Sequence, residues 1–161
     1  ALGVTGTTKL FDEPLVENAV YEFMAGAYDA AGNLFAPTEP QARTQLDRVA
    51  PTVVFEPISG IGRQSFPVRW RGEDFGGSGV ASYDVQVRVN RQPWTDWVRD
   101  AAETERLFSG SFSNTYSFRA RARDRAGNQG DYPQREQLVV GVIDPSTWVS
   151  HALMPLVHPR R

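Results

Sequence analysis

A thirteen-residue segment of this chain occurs twice. Residues 21–33 read YEFMAGAYDAAGN and residues 116–128 read YSFRARARDRAGN, so eight positions are identical at a spacing of 95 residues. That spacing is close to the length of one β-sandwich domain, about 100 residues. The repeat therefore predicts two copies of one domain type in tandem.

The residues around the second copy have the pattern of an all-β sandwich. Short runs alternate apolar and polar residues with period two, and turn-forming Gly, Pro and Asn separate them. Pro67 lies inside one run and favours a strand edge or a bulge there. Seven strands are predicted, at Thr52–Glu56, Gln64–Arg71, Val80–Val89, Trp94–Val98, Thr104–Phe108, Thr115–Arg123 and Gln134–Val142.

The first copy contains only the end of this plan. Thr8–Phe11, Val20–Tyr28 and Pro40–Leu46 parallel the last strands of the second copy. Three strands bury an apolar face only when something covers it. Tyr21 and Phe23 are therefore predicted interface residues, covered by upstream sequence, by another copy of the chain or by the second domain. The predicted division is an incomplete domain at 1–48, a complete one at 49–145 and a short tail at 146–161.

Four stretches resemble the fibronectin type III and related immunoglobulin-like domains of bacterial secreted proteins. They are Trp70 in VRW, Asp74–Arg88, WTDW at Trp94–Trp97 and Tyr116–Asn128. The resemblance implies an immunoglobulin-like sandwich of about seven strands, preceded by the terminal strands of a second, incomplete copy. It also implies that Trp70 fills the core and that Tyr116 is a tyrosine-corner residue. Tyr83 and Phe118 join them as predicted core residues.

Composition narrows the function class. A formal net charge of −2 argues against a nucleic-acid binder, which usually has a basic excess. The absence of cysteine excludes disulfides and thiolate metal sites, and favours a bacterial over a eukaryotic origin for an extracellular or cell-surface module. No apolar run reaches the roughly 20 residues that span a membrane.

The residue types of catalysis do not converge in the predicted sandwich. The two histidines, His151 and His158, both lie in the tail. A nucleophile-elbow sequence such as GxSxG is absent, and the carboxylates are spread over loops. An enzyme using the tail histidines would need that tail folded back over the domain. The sequence therefore favours a protein that is not an enzyme.

Acidic loop residues raise the alternative of a calcium site. Asp124 and Asn128 flank a tight turn, and Asp74 lies in a glycine-rich loop. Calcium requires six to eight oxygen ligands, and the EF-hand pattern that supplies them is absent. We expect Asp124 to cap its turn instead, so no cofactor is predicted and calcium is kept as the alternative.

Two further sets could bind a partner. Arg119, Arg121 and Arg123 share the outer face of one strand. They could bind phosphate, a sulfated sugar or an acidic partner, or form a solvated, ion-paired face. Trp94 and Trp97 could stack on a sugar ring or form a protein hot spot if exposed. Three residues apart on a strand, they point to opposite faces, so at least one is expected in the core.

These patterns predict a non-catalytic extracellular module that spaces, displays or assembles a larger bacterial surface or secreted protein. Its partners would be other domains of the same polypeptide or neighbouring subunits, and strand complementation between subunits is a specific version. The alternative is a carbohydrate-binding accessory domain of a secreted hydrolase, which requires Trp94 or Trp97 on a flat exposed surface.

Overall fold

The structure is a computed structural model that describes residues 10–11, 13–58 and 63–147. The chain divides into two compact units, Ala1–Arg48 and Val49–Arg161. All the regular elements are β-strands apart from one helical turn at 145–147. The strands are β1 (Val20–Phe23), β2 (Ala27–Tyr28), β3 (Leu34–Phe35), β4 (Ala42–Gln45), β5 (Thr52–Phe55), β6 (Ser65–Glu73), β7 (Val80–Val89), β8 (Thr95–Ala101), β9 (Glu105–Ser109), β10 (Asn114–Asp124) and β11 (Leu138–Val142).

The second unit is an antiparallel β-sandwich of seven strands. One sheet has the order β11-β10-β7-β8 and the other has the order β5-β6-β9. The predicted all-β, immunoglobulin-like architecture is therefore confirmed, and each predicted strand of this unit is present with ends shifted by a few residues. The largest shift is in β11, which begins at Leu138 instead of Gln134.

The core of the second unit lies between its two sheets. Period-two alternation directs Phe66, Val68 and Trp70 of β6 inward, and all three are buried. From the facing sheet, Tyr116 and Phe118 of β10 meet them together with Ala120 and Ala122. Pro67 points outward where β6 pairs with β9 alone, because the pairing with β5 ends at Phe55 and Trp70. The strand tolerates this proline because one side of it is open.

The described residues of the first unit form two small two-stranded sheets, β1-β4 and β2-β3. None of its described apolar side chains is buried. The prediction of one strand at Val20–Tyr28 is wrong, since the pairing is interrupted between Phe23 and Ala27. The corresponding β10 is continuous because β7 pairs with it from Tyr116 to Asp124, and β1 has no strand in the place of β7 among the described residues.

The other predicted strands of the first unit fare differently. Pro40–Leu46 is present in shortened form as β4. Of Thr8–Phe11, residues 8 and 9 lie outside the described residues, and Leu10 and Phe11 are not in a strand. Most of the predicted tail, with both histidines, also lies outside the described residues. No helix of the described part of the chain is long and apolar enough to cross a membrane.

Candidate interaction surfaces

A tyrosine fixes the same corner in both units. The hydroxyl of Tyr116 accepts a hydrogen bond from the backbone N–H of Ser111 at 2.7 Å. The hydroxyl of Tyr21 accepts one from the N–H of Val16 at 2.6 Å, and each donor lies five residues upstream of its tyrosine. This is the hydrogen bond of a tyrosine corner, which ties a strand to the chain that leads into it.

The turn that ends the repeated segment is also the same in both units. The carboxylate of Asp124 accepts from the backbone N–H of Asn128 at 2.8 Å and from its side-chain amide at 2.7 Å. The carboxylate of Asp29 accepts from the same two groups of Asn33 at 2.8 and 2.7 Å. The glycine directly before each asparagine has a positive φ, 97° at Gly127 and 88° at Gly32. The side-chain amide of Asn33 is the main cause that lowers the pKa of Asp29.

Asp74 and Asp124, two of the sequence's calcium candidates, come close together at one end of the second unit. One carboxylate oxygen of each lies within 4.8 Å of the other. The Asp74 carboxylate accepts from the backbone N–H groups of Gly76 at 3.1 Å and Gly79 at 2.5 Å. Asp124 accepts from Asn128, the third candidate. These hydrogen bonds give both carboxylates a role in shaping their own loops.

The predicted arginine row lies on the outer face of β10, where it is joined by two aromatic rings. The guanidinium carbons of Arg88 and Arg119 each lie 4.5 Å from the ring centroid of Trp94. Those of Arg119 and Arg121 lie 5.1 and 4.6 Å from the ring centroid of Tyr132. We call Arg88, Trp94, Arg119, Tyr132 and Arg121 the arginine–aromatic ladder.

Polar partners from the same unit also hold the cations of this face. Arg121 is ion-paired with Asp84 at 2.9 Å and Arg88 with Glu136 at 3.0 Å. Arg119 donates to the side-chain oxygen of Gln86 at 2.9 Å. Burial lowers the pKa of Arg119 and raises that of the Tyr132 phenol, so the ladder is partly shielded from water.

Arg123, the last of the predicted row, lies outside the ladder. Its guanidinium donates to the side-chain oxygen of Gln129 at 3.4 Å. Tyr132 is the residue of this face that the sequence reasoning missed. An aromatic residue in the short segment after the repeated turn, beside an outward arginine row, was the available signal.

The two candidate tryptophans have different environments. The ring of Trp97 packs against Phe108, Phe118 and Trp70 with centroid distances of 5.4, 5.5 and 6.1 Å. Trp97 is therefore half-buried and packs against the core, as expected for at least one of the two tryptophans. Trp94 is half-buried. The guanidinium groups of Arg88 and Arg119 lie over its ring, in the space that a stacked sugar ring would need.

A cavity of about 340 Å³ lies beside the ladder and is lined by several carboxylates. Its lining residues include Asp84, Asp96 and Arg99, and Asp96 is paired with Arg99. The pKa of Asp96 is lowered mainly by a hydrogen bond from the side chain of Gln86 and further by one from Arg99. A carboxyl group with a lowered pKa stays ionised at neutral pH and does not serve as a proton donor there.

Tyr21 and Phe23, the predicted interface residues of the first unit, have an aromatic neighbour but no covering sheet among the described residues. Phe11 packs edge-on against both rings at 5.9 and 6.0 Å. Phe23 is 40% exposed, whereas Phe118, its counterpart in the second unit, is fully buried. We call Phe11, Tyr21, Phe23, Ala42 and Thr44 the open face.

A glutamine joins the strands in the same way in both units. Gln137 donates its backbone N–H to the carbonyl of Phe118, and its side-chain oxygen accepts from the N–H of Ala120 at 2.7 Å. Gln41 makes the corresponding bonds to Phe23 and to Ala25, at 2.9 and 2.8 Å. The side-chain amide of Gln137 also donates to the carbonyl of Val53 in β5, at 2.6 Å. The described residues offer the amide of Gln41 no such acceptor.

Two curated proteins from Cellulomonas fimi are similar to this chain. Exoglucanase B is 33% identical over 133 residues, and Endoglucanase B is 32% identical over 120 residues. The matches cover 79% and 71% of this chain but only 12% and 11% of the relatives. The chain therefore corresponds to a small segment of each glucanase.

Among solved structures, the twitchin kinase region from C. elegans aligns with a TM-score of 0.44 and 20% identity. That alignment covers 59% of this chain and 16% of the other. No family model matches the chain.

Proposed function

We propose that this chain is a non-catalytic segment of a larger bacterial extracellular protein, in which consecutive sandwich units space and hold the neighbouring domains. The observation that supports this most strongly is the recurrence of the same tyrosine corner and aspartate turn in both units. The similarity to small segments of two glucanases supports a parent protein of the polysaccharide-degrading kind. Because a sandwich fold alone does not imply an activity, the proposal depends on the repeated structural features and on the two sequence matches.

The arginine–aromatic ladder supports a spacer role for the second unit. Arg119 donates both to Gln86 of β7 and to the carbonyl of Pro133 at 3.2 Å. The ladder therefore fastens the segment between β10 and β11 onto the sheet. Cation–π contacts of this kind are worth about 0.5–2 kcal/mol each, depending on desolvation. A rigid unit transmits position between its neighbours, as a spacer must.

The geometry gives the carbohydrate-binding alternative little support. The ring of Trp97 packs against core aromatic rings, and guanidinium groups lie over the ring of Trp94. A sugar would have to displace those arginines before it could stack on the indole.

Binding and hydrolysis assays of the purified chain test the proposal. We expect no release of reducing sugar from cellulose or soluble β-glucan, and equal, background retention on cellulose for the wild type and Trp94→Ala. Retention that Trp94→Ala abolishes would establish the carbohydrate-binding alternative, and hydrolysis by the chain would overturn the non-catalytic assignment.

Replacement of a relative's segment tests the spacer role. The segment of Exoglucanase B that matches this chain is replaced by residues 1–147, and in a control it is deleted. We expect the replacement to retain hydrolysis of an insoluble substrate that the deletion lowers, with hydrolysis of a soluble substrate equal in both. Equal hydrolysis of the insoluble substrate by the two proteins contradicts a spacer role.

A further inference from the structure

We propose that the open face of the first unit is covered by a β-sheet of the same kind as β5-β6-β9, supplied by the polypeptide directly N-terminal to residue 1 in the parent protein. The inference rests on the proposed function as a series of sandwich units and names the partner of one surface. It follows from the agreement between the first unit and the β10–β11 half of the second unit.

The pairing of β1 with β4 repeats that of β10 with β11. Tyr21 lies opposite Thr44 and Phe23 opposite Ala42, as Tyr116 lies opposite Val140 and Phe118 opposite Leu138. The chain enters both strands alike: Asn18 and Ser113 have φ of 61° and 64°, and their N–H groups donate to Leu46 and Val142. The first unit therefore has the backbone arrangement of half a sandwich.

Phe11 marks the segment that precedes this half in chain order. It packs on Tyr21 and Phe23, as Phe108 of β9 packs on Tyr116 and Phe118. The sequence TTKLF that ends at Phe11 also corresponds to TERLF, which ends at Phe108. Residues 7–11 thus correspond to β9 in sequence, and in the second unit the strands that pair with β9 and face it come earlier in chain order.

Gln41 specifies one contact of the missing sheet. In the second unit the amide of Gln137 donates to the carbonyl of Val53, which links β11 to β5 of the opposite sheet. The equivalent amide of Gln41 therefore requires a backbone carbonyl from a strand that corresponds to β5. Ala42 and Thr44 stand where the second unit has Leu138 and Val140, so the missing sheet must present bulkier side chains there.

A second copy of this chain is a poor source of that sheet. The inner face of its own β5-β6-β9 sheet is already occupied, with Phe66, Val68 and Trp70 no more than 2% exposed. Such a copy would have to open its own core to cover the open face. A sheet from the preceding polypeptide would not have to open another core. Its strands would also come before residues 7–11 in chain order, as β5 and β6 come before β9.

Proteolysis by thermolysin before and after extension of the chain tests the inference. Thermolysin cuts beside large apolar residues, and cleavage near Tyr21 and Phe23 reports how often that segment is open. Three chains are compared: the 161 residues, a chain extended by about 55 residues of its natural upstream sequence, and a graft with residues 49–103 placed directly before Thr7. We expect cleavage near Phe23 to slow by about 100-fold in the extended chain.

Matched variants identify the contact. In the extended chain, Gln41→Ala should speed cleavage near Phe23 by about 10-fold, and Gln137→Ala should do the same for the second unit. In the 161-residue chain, Gln41→Ala removes only the bond to Ala25 and should speed cleavage near Phe23 by much less than in the extended chain. An equal effect in both chains would show that Gln41 acts within the first unit alone and would overturn the inference.

Two further results would also overturn it. One is slow cleavage of the 161-residue chain that speeds up on dilution, which would assign the open face to a second copy. The other is unchanged cleavage near Phe23 in both the extended chain and the graft. Neither result would contradict the proposed spacer function, because that function is tested separately by the segment replacement in Exoglucanase B.

Discussion

At the scale of single residues, equivalent positions in the two copies of the repeat differ in how far their side chains are buried. Tyr116 and Tyr21 make the same hydroxyl hydrogen bond, yet Tyr116 is buried and Tyr21 is half-buried. The tyrosine corner at Tyr116 was implied by the resemblance to fibronectin type III domains, and the repeat aligns Tyr21 with Tyr116. The sequence could not supply the packing of Trp97 or the contacts of Tyr132, because both depend on strands distant in sequence.

The tyrosine hydroxyls allow a matched test. Tyr116→Phe leaves the N–H of Ser111 without its acceptor, and loss of such a bond in a part-buried site costs about 1–3 kcal/mol. We expect the free energy of unfolding of the second unit, measured by urea denaturation, to fall by that amount. Tyr21→Phe serves as control and should leave this transition unchanged. A similar loss in both variants would contradict the different environments described for the two corners.

The two tryptophans should differ in energetic weight. Trp97→Ala removes a core ring and should lower the free energy of unfolding by about 3–5 kcal/mol. Trp94→Ala removes cation–π contacts at the surface and should cost about 1–2 kcal/mol. Urea denaturation of the two variants gives the order directly. A greater loss for Trp94→Ala would show that the ladder, and not the core, dominates this part of the sandwich.

At the scale of elements, the strands of the second unit were predictable and the long strand expected in the first unit was not. Period-two alternation located β7 and β10, because both are paired on two sides and buried on one face. It failed at Val20–Tyr28, where the local pattern is the same but a neighbouring strand is missing among the described residues. The turn after β2 was recovered because Asp29, Gly32 and Asn33 act locally.

That turn should respond to acid. The pKa of Asp29 is lowered, chiefly by the side-chain amide of Asn33, so its hydrogen bonds favour the ionised carboxylate. Their stabilisation is present above the ordinary pKa of an aspartate and is lost as the pH falls through the lowered folded value. We expect NMR titration of the Asp29 carboxyl carbon to give a midpoint below the ordinary value, and Asn33→Ala to bring it back. A midpoint that Asn33→Ala does not move would exclude this cause.

At the scale of the whole molecule, the chain divides into two compact units that differ in how far their apolar side chains are buried. The second unit has a continuous apolar core between two sheets, whereas the described residues of the first unit contain no buried apolar side chain. From the 95-residue repeat the sequence predicts that the first domain is incomplete, and that division stays a prediction. What covers the open face could not be predicted from the residues alone, because strand pairing between distant segments leaves no local signal.

Hydrogen–deuterium exchange of the 161-residue chain tests the central claim most directly. Amides of β10 and β11 should be protected at the level of global unfolding, and those of β1 and β4 should exchange at least about 100-fold faster. The comparison is internal, because the two strand pairs have the same register and share two glutamine hydrogen bonds. Equal protection of the two pairs in a monomeric chain would contradict the account, since the first unit would then be stable without a partner sheet.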